Sequence, residues 1–181
     1  NLDEALELQS ISEDSNQVIM IGYHHRFHPA FHKVKEALET NIIGRPYMAL
    51  FRMGGRGSHQ ERKHLKEEGG GAIFEILVHK LALISWLFGP PTRAEILSRR
   101  ILLASRNINQ QLIKADAEDF IVVQLQGNNG LTIVCESDLV TPGFMDHMEI
   151  QGDNGSIFSS MLHYLPTNVF CNQPRGIYSA G

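Results

Sequence analysis

The stretch from Ala72 to Gly89 constrains this chain more than any other. It is the longest apolar run, opened by Gly69-Gly70-Gly71 and closed by Gly89-Pro90-Pro91. Glycines ahead and prolines behind are helix punctuation, because neither residue type continues a helix comfortably. Glu75, His79 and Lys80 interrupt the run. A bilayer span needs about 20 mostly apolar residues, so this reads as a helix buried in a globular core rather than a membrane segment. The rest of the chain must supply the surface on which that helix lies. With 181 residues, 43% hydrophobic and 20% charged, there is enough material for a core, and disordered, collagen-like and low-complexity classes are excluded.

The surface is a sheet. Beyond Thr92 the hydrophobic period changes to two: Ile121, Val123 and Leu125 alternate with polar or mixed partners, and so do Leu131, Ile133 and Cys135. Asn128-Asn129-Gly130 between them is a hairpin signal, because Asn and Gly tolerate positive φ. Met148 and Ile150 lead to a second turn, Gly152-Asp153-Asn154-Gly155, before Ile157 and Phe158. This predicts antiparallel strands with one apolar face. A further strand is expected over Pro46 to Met53, followed by a long polar loop from Gly54 to Gly71. Loops of that length are usually functional or disordered. The tail from Leu165 to Gly181 shows no clear period, and no internal repeat is found.

Asn1 is placed to cap a short helix through Leu2, Ala5 and Leu6, broken near Ser12 to Asn16. Val18-Ile19-Met20-Ile21, closed by Gly22, suits a strand covered on both faces, so the chain is expected to begin inside an α/β layer. Pro29 suits the first turn of a helix whose inner face is Phe31, Val34 and Leu38.

Sixteen Lys and Arg against 20 Asp and Glu give a net charge of −4, which supplies no basic field for nucleic acid or an anionic bilayer. Cys135 and Cys171 are the only cysteines, too few for a disulfide framework or a Cys-based zinc site, and the expected compartment is the cytoplasm. The N-terminal residues lack the pattern of a signal peptide.

On the central helix Glu75, His79, Ala82 and Trp86 fall on one stripe at spacings of four, three and four. A carboxylate one turn before a histidine can fix its tautomer and raise its basicity, as acid/base work near neutral pH requires. The same spacing also fits a satisfied buried pair. Among nine histidines, His24, His25, His28 and His32 invite a metal reading, but Pro29 interrupts any common helix and no acidic or thiol ligand lies nearby in sequence, so no metal site is expected. Arg26 offers a fork of donors to an anionic or hydroxyl-rich ligand, and Tyr23 a hydroxyl.

Several of these segments together resemble the Gfo/Idh/MocA oxidoreductases. Gly69-Gly70-Gly71-Ala72-Ile73-Phe74-Glu75, then His79 and Trp86-Leu87-Phe88-Gly89, is similar to that family's glycine–acid–histidine–Trp signature. Gly22 to Pro29 resembles its Arg-Phe-x-Pro motif, Ile42 to Pro46 its Ile-Gly-x-Pro segment, and Ile150 to Ile157 its late Gly-x-x-Gly turn. The likeness runs over roughly residues 1 to 160, and the combination is more specific than any single motif.

The resemblance implies an α+β fold: an open, mainly antiparallel sheet with helices on one face, preceded by a remnant helix and strand of a Rossmann domain. Residues 1–22 would be that remnant of the NAD(P)-binding domain, and 23–181 the substrate-binding and oligomerisation domain. It implies His79 as general acid/base or hydroxyl ligand, Glu75 as its orienter, Arg26 as a substrate or cofactor contact, and Tyr23 as a substrate contact. NAD or NADP is implied for the complete protein, with none expected on this chain alone, because no G-x-G-x-x-G occurs in it. The implied substrate is a sugar or cyclitol hydroxyl, and the implied assembly is a homodimer or higher homo-oligomer through the sheet face. Three departures stand out. The family's usual Asp is Glu75 here, one methylene longer, while Ala82 replaces a second Asp and Leu77 a common glycine. Ala82, Leu77 and the missing cofactor half favour an alternative, a non-catalytic binding or assembly module.

Overall fold

The computed structural model of the protein describes residues 2–15, 17–162 and 165–172. Its helices are α1 (Leu2–Ser15), α2 (Pro29–Glu39) and α3 (Val78–Phe88). Its strands are β1 (Pro46–Gly54), β2 (Arg93–Arg100), β3 (Ser105–Ile108), β4 (Gln111–Lys114), β5 (Phe120–Gln126), β6 (Thr132–Asp138), β7 (Met145–Gly152), β8 (Gly155–Ser159) and β9 (Asn168–Cys171). Seven strands form one open sheet in the order β2-β5-β6-β1-β7-β8-β9, and β3-β4 is a separate hairpin. Every pairing is antiparallel except β1 with β6. The fold is therefore the α+β class expected.

Alternation decides which face is covered. Ala49 and Phe51 of β1, Val123 of β5, Ile133 and Cys135 of β6, and Met148 and Ile150 of β7 are buried, while their sequence neighbours are only half-buried. Against that face lie Phe31 and Val34 of α2 and Leu83, Ile84 and Leu87 of α3, in one continuous core. Each such side chain contributes about 1.5–3 kcal/mol of hydrophobic stabilisation. Ala37, one turn beyond Val34, completes the inner face of α2, with Leu38 only partly buried. The hairpin between β5 and β6 turns through Asn129 and Gly130, both at positive φ (58° and 81°), as the Asn-Asn-Gly signal requires. Among the described residues Lys66–Phe88 is long and apolar enough by composition to cross a membrane, but it rests Leu77, Leu83, Ile84 and Leu87 on the sheet as a core helix does.

The structure differs from expectation in four places. Val18 to Ile21 is not a strand: it pairs with no other described segment, and Val18 and Met20 are 96% and 69% exposed. A doubly covered strand exists only through its neighbours, and none flanks this one; α1 likewise has no buried residue. The proposed Asn1 cap lies outside the described residues. Helix α3 does not begin at Ala72; Ile73–Leu77 forms a π-helical turn first, closed by the Val78 N–H donating to the Ile73 carbonyl. Finally, β1 lies beside β6 in parallel, so the sheet is not a simple meander, and β9 falls in the tail where no period is visible.

Candidate functional site

The triple glycine exists to bring three segments close together. A Cβ on Gly70 would sit 2.5 Å from the Lys63 backbone, and one on Gly71, at φ +110°, 2.5 Å from Glu118 Oε1. With only hydrogens there, the Gly71 N–H donates to the Lys63 carbonyl (3.0 Å), and the Ala72 N–H donates to the Glu118 carbonyl (2.8 Å). The Glu118 carboxylate also accepts from the Ile73 N–H (3.2 Å) and from Arg99 (2.8 Å), capping the helix start from a distant loop. The π-turn then presents Glu75 outward on a tether shared with Lys63.

Glu75 consequently pairs with Lys63, whose Nζ donates to its Oε2. No hydrogen bond joins Glu75 to His79 among the described residues. Glu75 and Ile76 form one wall of a cleft of about 360 Å³, whose other walls are Gly55, Arg56, Gly57 and Ser58 after β1 and Leu139, Pro142 and Phe144 after β6. Arg56 fastens these walls by donating to the Pro142 carbonyl. From behind, the buried Arg106 donates to the Leu139 carbonyl (2.9 Å) and to Asp119 (3.0 Å).

His79 does not line this cleft. It joins a cluster of rings from the turn that precedes α2: the His25 ring is stacked on it at 4.7 Å and 22°, with His24 at 5.5 Å and Tyr23 edge-on at 6.4 Å. The Nδ1 atoms of His25 and His79 and Nε of Arg26 are buried without a hydrogen-bond partner among the described residues. Arg26 lies over the Phe27 ring at 5.0 Å. Tyr23 and His79 are thus brought together, while Glu75 faces the neighbouring cleft.

Burial, then His24, holds the His79 pKa below its ordinary value, against the opposing pull of Glu75. His25 is pushed down to about 3, first by burial and then by Lys80. Both rings are therefore neutral at pH 7, the form that accepts a proton. Beneath the cluster Lys80 pairs with Asp146, each wholly buried, and Asp146 also accepts from the Ser160 hydroxyl and the Met161 N–H (2.7 Å). Burial lowers the Lys80 pKa, and Asp146 opposes that shift. Among the described residues no group of three or more His, Cys, Asp and Glu is arranged to hold a metal ion.

Neither Lys63 nor the Lys80–Asp146 pair is visible as a site residue in the sequence. Lys63 sits in a polar loop with nothing to distinguish it, and only the glycine contacts aim it at Glu75. A lysine inside an apolar helical run, however, is a signal, because a buried ammonium requires a partner.

The start of α2, beside the ring cluster, opens with Pro29, which has no N–H, and its Ala30 N–H donates to His28 Nδ1 (3.3 Å).

The chain matches the GFO/IDH/MocA C-terminal domain over residues 31–158. It belongs to that family. It is 22% identical over 177 residues to the myo-inositol 2-dehydrogenase of Thermotoga maritima, covering 97% of this chain and 50% of that protein. An NAD binding oxidoreductase from Klebsiella pneumoniae superposes with a TM-score of 0.84 at 16% identity, covering 96% of this chain and 48% of that one. Levoglucosan dehydrogenase in complex with NADH and levoglucosan superposes with a TM-score of 0.82 at 19% identity, over 96% of this chain and 48% of that one. The chain spans about half the length of the curated relatives it matches.

Proposed function

We propose that this chain is the substrate-binding and oligomerisation portion of an NAD(P)-dependent oxidoreductase acting on a sugar or cyclitol hydroxyl. The observation that carries this reading is a half-buried His79 whose Nδ1 has no partner among the described residues, one helical turn from Glu75, which walls the neighbouring cleft. A neutral imidazole can take the proton that leaves an alcohol as it is oxidised. The cofactor's contribution is to accept the hydride. In this reading residues 1–22 belong to the NAD(P)-binding domain and 23–181 to the substrate domain. His79 handles the proton, Glu75, held by Lys63, accepts a hydrogen bond from a substrate hydroxyl, Tyr23 contacts substrate, and Arg26 contacts substrate or cofactor. The likeness to a myo-inositol dehydrogenase and to levoglucosan dehydrogenase supports a polyhydroxylated ring as substrate.

The uncovered sheet face carries half-buried Met48, Leu50, Val122 and Val134 among polar neighbours and is proposed as the homodimer contact. A second reading, a non-catalytic module of the same family, is favoured by Ala82 at the usual acidic position and by the engagement of Glu75 with Lys63. One experiment separates the two. Absorbance at 340 nm is followed with NAD or NADP and a panel of cyclitols and monosaccharides, using the complete protein and its His79→Ala variant. The enzyme reading expects turnover that falls by about 100-fold or more in the variant. Turnover unaffected by the substitution refutes the role of His79, and no turnover on any polyol favours the module. The isolated chain is expected to show no hydride transfer, and sedimentation showing monomer only would refute the dimer.

A further inference from the structure

The stacked imidazoles assign a second residue to the site. His25 is 3% exposed, and its ring lies 22° from parallel with that of His79 at a centroid distance of 4.7 Å. Phe31 stands near it at 6.3 Å and His24 meets its edge at 4.9 Å, so His25 has no room to turn away. We propose that His25 is a positioning residue for His79: its ring covers one face of the His79 imidazole, fixing the ring plane and excluding water from that face. The proposal rests on His79 being the proton-handling group.

The surroundings make a histidine able to do this without competing for the proton. His25 faces Lys80, His79, His24 and Asp146, and burial with the fixed Lys80 ammonium keeps it neutral down to about pH 3. Lys80 cannot move off, since Asp146 and the Ser160 hydroxyl hold the pair in place beneath. His79 in turn faces His24, Lys80, Lys63 and Glu75. Adding a proton to His79 therefore places one charge in the stack, never two. With one face covered by His25, that charge is poorly hydrated, which holds the group in its base form.

The test is an NMR titration of the histidine rings in the whole 181-residue chain and in two variants. In the wild type, His25 ring shifts should stay flat from pH 8 to about 4, and a ring-to-ring Overhauser effect should connect His25 with His79. In His25→Ala the His79 midpoint should rise toward 6.5 by at least about half a unit, because water reaches the opened face. In His25→Phe, which keeps the face covered, the midpoint should stay within about 0.2 units of wild type. A His79 midpoint unchanged in His25→Ala overturns the proposal, and so does an equal rise in both variants. If neither variant folds, absence of the Overhauser effect in the wild type overturns it. The readout is a titration, so inactivity of His79→Ala in the complete protein tests the proton-handling role separately.

Discussion

Replacing Asp146 by Asn would leave the Lys80 ammonium wholly buried with no counter-charge. Both side chains are inaccessible to solvent, Lys80 lies against the Phe31 ring at 5.5 Å, and among the described residues no second carboxylate bonds to it. Breaking a buried ion pair from one side costs about 3–5 kcal/mol. For a domain of this size each kcal/mol shifts Tm by about 2–4 °C, so the expected loss is about 6–20 °C. Lys80→Met should cost less, because the Asp146 carboxylate keeps the Ser160 hydroxyl and the Met161 N–H as donors. The double variant Lys80→Met/Asp146→Leu should recover most of the loss, since well-packed apolar replacements of buried pairs are often neutral or stabilising. Burial lowers the Lys80 pKa, and without Asp146 nothing comparable opposes the shift. The unfolded chain then binds the proton that the native state rejects, so the deficit of Asp146→Asn should shrink as pH rises, by at most about 1.4 kcal/mol per unit. Urea unfolding at pH 6, 7.5 and 9, with m unchanged, measures all of this. A loss under about 1 kcal/mol for Asp146→Asn, or additive single effects in the double variant, would refute the reasoning.

The pH dependence of the wild type has a worked sign. His25 has a folded pKa of about 3 against 6.5 unfolded, so its contribution is complete above pH 6.5 and is lost as pH falls toward 3; thermal melts should show this slope, flattened in His25→Phe. Gly71→Ala, with its Cβ 2.5 Å from Glu118 and φ +110°, should destabilise by about 1–3 kcal/mol. Gly69→Ala, at φ +71° with open space around it, should cost less, and equal denaturation midpoints would contradict the close-approach account of the glycines. The Lys63–Glu75 pair is partly exposed on both sides, so a Lys63→Met/Glu75→Gln cycle should give a coupling under about 1 kcal/mol that fades in 1 M salt.

Much of the fold is legible in the sequence because it follows from short-range periodicity. The inner face of α2, the alternation in β5 and β6, and the Asn-Gly turn between them are each set by neighbours a few residues apart. The parallel neighbourhood of β1 and β6 is not, since no local pattern states which strand lies beside which. Val18 to Ile21 shows the limit in the other direction: an apolar run indicates what a segment would bury, but a covered strand needs paired neighbours, and among the described residues it pairs with none.

The site divides the same way. The glycines, Glu75, His79 and the motif before α2 stand out in sequence, and they suffice to indicate the family. Helical spacing alone would stack Glu75 beneath His79, and the π-turn at Ile73–Leu77 changes that by one residue, sending the carboxylate to Lys63.

The amino-acid order by itself determined the class of fold, the central helix and the residue types able to move a proton. Tertiary structure alone decided their partners: His25 stacked on His79, Lys63 on Glu75 and Asp146 beneath Lys80. The physical reason is that propensity and hydrophobic period act along the chain, whereas ionisation and ring stacking depend on distances across it, set only when the sheet and helices close on a common core.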